Sequence, residues 1–272
     1  MSLEETKQLL QTHHISPNKL LGQNFMVEPS LYPKLCSYAA LSAEDVVLDA
    51  GTGFGWLTCF LAGKSKKVVA VEKDPHVAMV LREQVRDLGN VVIVEGDVLK
   101  ETLPQFNKVI AIPPYYLSSH LVLWLIERKV DCAVMILQKE FVTRLIASVG
   151  SEEYGWLTVV ADQGAEIKVL DAVPKDMFYP QPEVDSAIVT IKPWSTKPFE
   201  VKDPAFFVQM TKWLFTQRNK KLGKAIAPFL RSSFKLSKPD AEKLALSLPF
   251  HDKRARELSP KDFGAIAIAL PK

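Results

Sequence analysis

The sequence predicts an α/β domain built on a mostly parallel sheet, followed by a small helical domain, and three observations carry that prediction. Short apolar runs at 46–48, 67–71, 91–94 and 108–111 alternate with helix-like segments, the pattern of strands linked by crossover helices. The first three runs close on acids: Asp49 directly, Glu72 directly and Asp97 after Gly96. The charge then changes sign along the chain. Residues 1–195 hold 18 Lys and Arg against 24 Asp and Glu, whereas 196–272 hold 16 against 7. The expected boundaries are therefore a sheet domain over 1–195 and a basic helical domain over 196–272.

The stretch VVLDAGTGFGWLT at 46–58 reads as strand, tight turn and helix, with Gly51, Gly53 and Gly55 at alternate positions. Glycines there open backbone conformations closed to other residues and let a ligand approach the main chain, with free N–H groups of the next helix beyond. A single such turn equally fits a bend with no ligand. Glu72 lies about where nucleotide-binding sheets place a ribose-binding carboxylate, and three acids along the carboxyl edge of one parallel sheet describe a site. A nicotinamide cofactor normally uses Gly-x-Gly-x-x-Gly, whereas the spacing here is Gly-x-Gly-x-Gly behind an acid. A row of carboxylates repels phosphates, so S-adenosylmethionine, with a sulfonium, an ammonium group and no phosphate, suits the charge better.

Other properties bound the answer. The 272 residues suffice for one large domain and a smaller one. No long apolar span occurs, and MSLEETKQLL is polar and amphipathic rather than a signal peptide, so a cytoplasmic protein without a membrane role is expected. Cys36, Cys59 and Cys132 are scattered among apolar residues, with neither disulfide nor metal spacing.

In chain order, 3–12 reads as a short helix. Gln23 and Asn24 are amides between apolar residues, able to fix a polar ligand or simply to close a turn. Helices follow over 29–39 and 75–88. The strand at 108–111 runs into Ile112-Pro113-Pro114-Tyr115-Tyr116-Leu117-Ser118-Ser119. Two prolines stiffen this loop and leave carbonyls able to accept from a substrate amine, Tyr115 offers a flat face for a base, and Ser118 and Ser119 can cap the next helix. A fifth strand at 130–137 and a helix at 139–148 come next, then an apolar helix-like segment after Tyr154, and strands on either side of 178–186.

LLGQNFM, DAGTGFG, VEKD, EGD, IPPYYLSS, FYPQPEVDS and QRNKKL occur in the order and spacing of the KsgA-type rRNA adenine dimethyltransferases, and the chain resembles that family from about Leu20 onward. The resemblance implies a Rossmann-like class I methyltransferase domain. It also implies dimethylation, with S-adenosylmethionine, of the exocyclic amines of two adjacent adenosines near the 3′ end of small-subunit rRNA during ribosome biogenesis. By matching position it puts cofactor contacts on Gln23, Asn24, Met26, Gly51, Gly53, Glu72, Asp97 and Ile112. It puts the target adenosine against Ile112, Pro113, Tyr115 and Phe178. Extruding a base costs a few kcal/mol, offset in part by ring stacking at roughly 1–3 kcal/mol.

One position departs from the family pattern. Its loop normally opens with Asn, whose side-chain carbonyl accepts from the target amine, and here that residue is Ile112. One missing hydrogen bond to a buried donor is worth roughly 1–3 kcal/mol, and each 1.36 kcal/mol is about tenfold in rate. That predicts a slowed enzyme whose main-chain carbonyls at Ile112 and Pro113 still accept. It also leaves a second reading open, a ribosome-assembly or RNA-binding factor that keeps the fold with little chemistry. In the tail, Arg218, Lys220, Lys221 and Lys224 form one basic group and Lys253, Arg254 and Arg256 another, both expected to meet rRNA phosphates in an immature small-subunit particle. A monomer is expected.

Overall fold

The computed structural model describes residues 2–18 and 21–271; Lys19 and Leu20, at the head of the Gln-Asn-Phe motif, lie outside the described residues. Two compact units divide the chain. One comprises Met1–Val142 and Glu166–Pro193, the other Thr143–Ala165 and Trp194–Lys272.

The first unit begins with helix α1 (Leu3–Thr12), whose N-terminus is closed by a reciprocal pair: Ser2 accepts from the Glu5 N–H and Glu5 accepts from the Ser2 N–H. Strand β1 (Phe25–Met26) and helix α2 (Leu31–Tyr38) follow, and then the sheet. Strands β2 (Val46–Ala50), β3 (Lys67–Glu72), β4 (Val91–Glu95), β5 (Lys108–Ala111) and β6 (Cys132–Gln138) run parallel in the order β4-β3-β2-β5-β6. Beyond β6 lie β9 (Ser186–Pro193), which is antiparallel to it, and β7 (Ala165–Val173) at the edge. The central strands are buried on both faces, which is why they read as unbroken apolar runs rather than as alternation.

Helix α3 (Trp56–Ala62) follows β2, and α4 (Pro75–Val85) follows β3 with Asp74 as its cap and Pro75 at its first position. Helix α5 (Ser118–Ile126) follows β5. The expected mostly parallel α/β architecture is present, with element ends shifted by a few residues. The helix expected over 29–39 starts at Leu31, and the one expected over 139–148 is α6 (Lys139–Leu145). Strand order reverses at β2, whose neighbours are β3 on one side and β5 on the other. A crevice at the carboxyl ends of β2 and β5 is the place such sheets offer a ligand.

The second unit is helical: α7 (Trp156–Gly164), α8 (Pro204–Thr216), α9 (Leu222–Phe234), α10 (Lys238–Ser247) and α11 (Pro260–Ala269). Sequence alone placed the division at 195/196, close to Pro193, but put 143–165 with the sheet. These residues cluster instead with the tail, because their apolar groups find partners there. The Tyr154 hydroxyl, buried, donates to the Leu258 carbonyl at 2.7 Å, and its ring meets Phe215 edge-on at 5.5 Å.

Candidate active site

The glycine turn after β2 and the proline loop after β5 meet at the strand-order reversal. Gly51 has φ +77°, and a Cβ there would lie 2.5 Å from Pro114 Cδ. Only glycine satisfies both the left-handed backbone and this contact. The N–H groups of Gly51 and Thr52 donate to the Val71 carbonyl at 2.9 and 3.2 Å, docking the turn on the end of β3. Gly51 and Gly53 then line a cavity with Glu72, Asp97, Ile112, Pro113, Tyr115 and Phe178, so residues from five separate motifs converge.

The three acids do not play one part. Glu72, 8% exposed, accepts from the N–H groups of Gly53, Lys73 and Asp74, each at 2.9 Å. Burial raises its carboxyl above the ordinary value against those three donors. Asp97 is half-buried and pairs with Lys73 at 3.3 Å. Burial pushes it up, and the Leu99 N–H and the Lys73 ammonium outweigh that and hold it low. Asp49, expected beside them, is only 1% exposed and instead lines a smaller adjoining cavity. Its carboxylate accepts from Thr58 Oγ1 at 2.7 Å, and burial, with Glu72 nearby, pushes its pKa up to about 7. The expected row of three is therefore two acids in the cavity and one beneath the turn, tying β2 to α3.

The lip of the cavity is built from two further elements. Strand β8 (Phe178–Tyr179) pairs antiparallel with β1, setting Met26 opposite Phe178 and Phe25 opposite Tyr179. The Gln-Asn-Phe motif and the Phe-x-Pro-x-Pro signature thus form one two-stranded ribbon. The Tyr115 and Phe178 rings lie 6.4 Å apart at 66°, touching edge to face. They are not a parallel pair with a gap between them. Tyr115 Oη and Ser186 Oγ share a hydrogen bond of 2.7 Å. Ser186 is fully buried, and burial raises the Tyr115 phenol, partly offset by that bond.

Pro113 and Pro114 carry no N–H, and the Pro114 carbonyl accepts from Leu117 at 2.9 Å. The Ile112 side chain packs against the main apolar cluster around Leu35, Ile110 and Val134 while also lining the cavity. Ser118 does not cap α5 as expected. The helix is entered straight from a 3-10 turn over Tyr115–Leu117, leaving no extended capping residue, and Ser118 Oγ is buried with no partner among the described residues.

The amides have local tasks. Gln23 Nε2 donates to Asp74 at 2.8 Å and its Oε1 accepts from the Asn18 N–H at 2.8 Å, while Asn24 Nδ2 donates to the Gly22 carbonyl at 3.2 Å. Both residues nonetheless line the cavity, whereas Met26 lines only the smaller one. In the helical unit, Arg218 donates to the carbonyls of Glu152 and Ser151 at 2.8 and 3.0 Å, so its guanidinium is spent on the fold. Lys220 and Lys221 are exposed, as is Lys224 one helical turn further on.

Sequence reading missed Lys73 and the role of Ser186. A serine opening the otherwise apolar run SAIVTI was the available signal, since a buried hydroxyl must find a partner. Among the described residues there is no group of acids, histidines and cysteines fit for a metal ion, and no helix long and apolar enough to cross a membrane.

A glycine turn and a carboxylate-bearing loop meeting a proline lip at the switch point define a nucleotide-cofactor-binding α/β domain of the methyltransferase type. The chain belongs to the ribosomal RNA adenine dimethylase family, whose profile matches residues 15–249. It is 38% identical over 247 residues to a Methanosarcina mazei protein named "Probable ribosomal RNA small subunit methyltransferase A", covering 90% of each chain. Among solved structures it resembles a dimethyladenosine transferase from Plasmodium falciparum, with a TM-score of 0.72 and 25% identity over 89% of this chain and 95% of that one. The 23S rRNA methyltransferase ErmE shares the fold, with a TM-score of 0.66 and 24% identity over 91% of this chain and 99% of that one.

Proposed function

We propose that this protein is an S-adenosylmethionine-dependent rRNA adenine dimethyltransferase. Its substrate would be two adjacent adenosines near the 3′ end of small-subunit rRNA in an immature particle, and it would act as a monomer in the cytoplasm. The observation that carries this reading is the convergence of Gly51, Gly53, Glu72 and Asp97 with Pro113, Tyr115 and Phe178 on one cavity. The acceptors suit the cofactor: ribose hydroxyls and an adenine amine are donors, its sulfonium is cationic, and two carboxylates would repel the phosphates of a dinucleotide. When bound, S-adenosylmethionine supplies an electrophilic methyl group.

The chain's own groups then have definite work. Glu72, held by three N–H groups, accepts from the ribose, and Asp97 accepts from the cofactor's adenine. The carbonyls of Ile112 and Pro113 accept the hydrogens of the target amine. That draws the nitrogen lone pair out of conjugation and aims it, with no strong base required because the proton leaves after transfer. Alignment of this kind supplies roughly 7–11 kcal/mol, and it survives the absence of an Asn side chain at 112.

Incubation with labelled S-adenosylmethionine and immature small subunits, followed by mass spectrometry of the rRNA 3′ end, tests the reading. Two doubly methylated adenosines are expected. Cofactor binding with no transfer would favour the second reading, an assembly factor, which Ile112 motivates.

A further inference from the structure

One cation stands among the acids of the cavity. Lys73 is the only Lys or Arg among the described residues that line it, in a wall that also holds Glu72, Asp97 and Val98. Its two ends are tied to the two acids: its N–H donates to Glu72 Oε1 at 2.9 Å, and its ammonium donates to Asp97 Oδ2 at 3.3 Å. Asp97 does not depend on the lysine for its orientation, because its Oδ1 already accepts from the Leu99 N–H at 3.1 Å. The pair adds little stability either, since the lysine side chain is 48% exposed and water screens such pairs. Two acids favour a cationic ligand and a lysine beside them works against it, so its place in the wall calls for a contact of its own.

An ammonium has three donors and no acceptor, and a carboxylate only accepts. Asp97 is the acceptor the ammonium meets among the described residues, which leaves two of its N–H groups for a ligand. A ligand that satisfies both side chains therefore presents a donor next to an acceptor. The adenine of S-adenosylmethionine does so, because its exocyclic amine is flanked by the ring nitrogens N1 and N7, and both accept.

We propose that Lys73 is a specificity-determining residue for the cofactor: its ammonium donates to a ring nitrogen beside the amine that Asp97 accepts, so that the two side chains read adjacent positions of the adenine. The inference rests on the reading of this cavity as the S-adenosylmethionine site.

The test is calorimetric titration of the full chain, and of Lys73→Met and Lys73→Arg, with S-adenosylhomocysteine and with its 1-deaza and 7-deaza analogues, in which a C–H replaces one ring nitrogen. Wild type is expected to bind one of the two analogues roughly tenfold more weakly than the parent compound, about the worth of one hydrogen bond from a charged donor. That penalty should disappear in Lys73→Met and persist in Lys73→Arg, and the analogue that suffers it identifies the nitrogen. Three results overturn the proposal while leaving the cofactor reading intact. They are wild type binding all three ligands alike, Lys73→Met weakening all three by one factor, as a lysine that only steadies Asp97 would, and a penalty that survives in Lys73→Met. Failure of wild type to bind S-adenosylhomocysteine at all overturns the cofactor reading and this inference with it.

Discussion

Gly51 and Pro114 touch so closely that a single added carbon on the glycine would overlap the proline ring, at 2.5 Å from its Cδ. The turn after β2 and the loop after β5 are thereby fixed against each other, and the cavity wall includes both residues. Gly51→Ala adds this overlap to a left-handed backbone cost of roughly 1–2 kcal/mol. We expect at least a tenfold weaker S-adenosylmethionine affinity by calorimetry, with the fold retained by circular dichroism. An unaltered affinity would show that the loop yields freely.

Ile112→Asn restores a side-chain acceptor at the lip. A gain of roughly 1–3 kcal/mol in the transition state corresponds to about a 5- to 160-fold faster single turnover, with cofactor affinity little changed. No gain would mean that the main-chain carbonyls already hold the amine.

Ser186→Ala leaves the Tyr115 hydroxyl without its 2.7 Å partner. An orphaned part-buried hydroxyl costs roughly 1–3 kcal/mol, to be read from urea midpoints, and the freed ring should slow transfer without altering cofactor affinity. Tyr115→Phe combined with Ser186→Ala should cost less than the two single changes added together, since the pair is lost only once.

Asp49 gives a signed pH dependence. Its carboxyl is raised from 3.8 to about 7 by burial, so between these values the folded protein holds a proton that the unfolded chain has released. Its contribution to stability is complete below pH about 4 and is lost as pH rises through about 7. Asp49→Asn keeps an acceptor for Thr58 and removes the titration. Unfolding free energies measured from pH 4 to 8 should therefore fall for wild type relative to the variant across that window. A constant difference would place the Asp49 pKa near its ordinary value.

Arg218 and its lysine neighbours should separate cleanly. Arg218→Gln loses two hydrogen bonds from a charged donor to the Ser151 and Glu152 carbonyls, costing roughly 1.5–3 kcal/mol each at most and lowering the thermal midpoint. Lys220→Gln with Lys221→Gln should leave that midpoint alone and flatten the salt dependence of particle binding by about 1–2. Equal effects on stability from both variants would contradict this division.

The sequence alone determined the parallel sheet, the glycine turn, Glu72, Asp97 and the proline loop, because each is a local matter. Apolar runs, acids at strand ends and residues with restricted or permissive backbones declare themselves within a few positions. What only the tertiary structure decided was which way side chains face and what they meet across the chain. Asp49 is buried beneath the glycine turn and serves Thr58. Residues 143–165 join the helical unit because Tyr154 finds Phe215 and, 104 residues away, Leu258. Arg218 is occupied by carbonyls far upstream, and Tyr115 and Phe178 rest edge to face rather than as an open clamp. Such pairings depend on contacts between distant segments, which composition and periodicity do not encode, whereas strand, turn and helix follow from the chemistry of neighbouring residues.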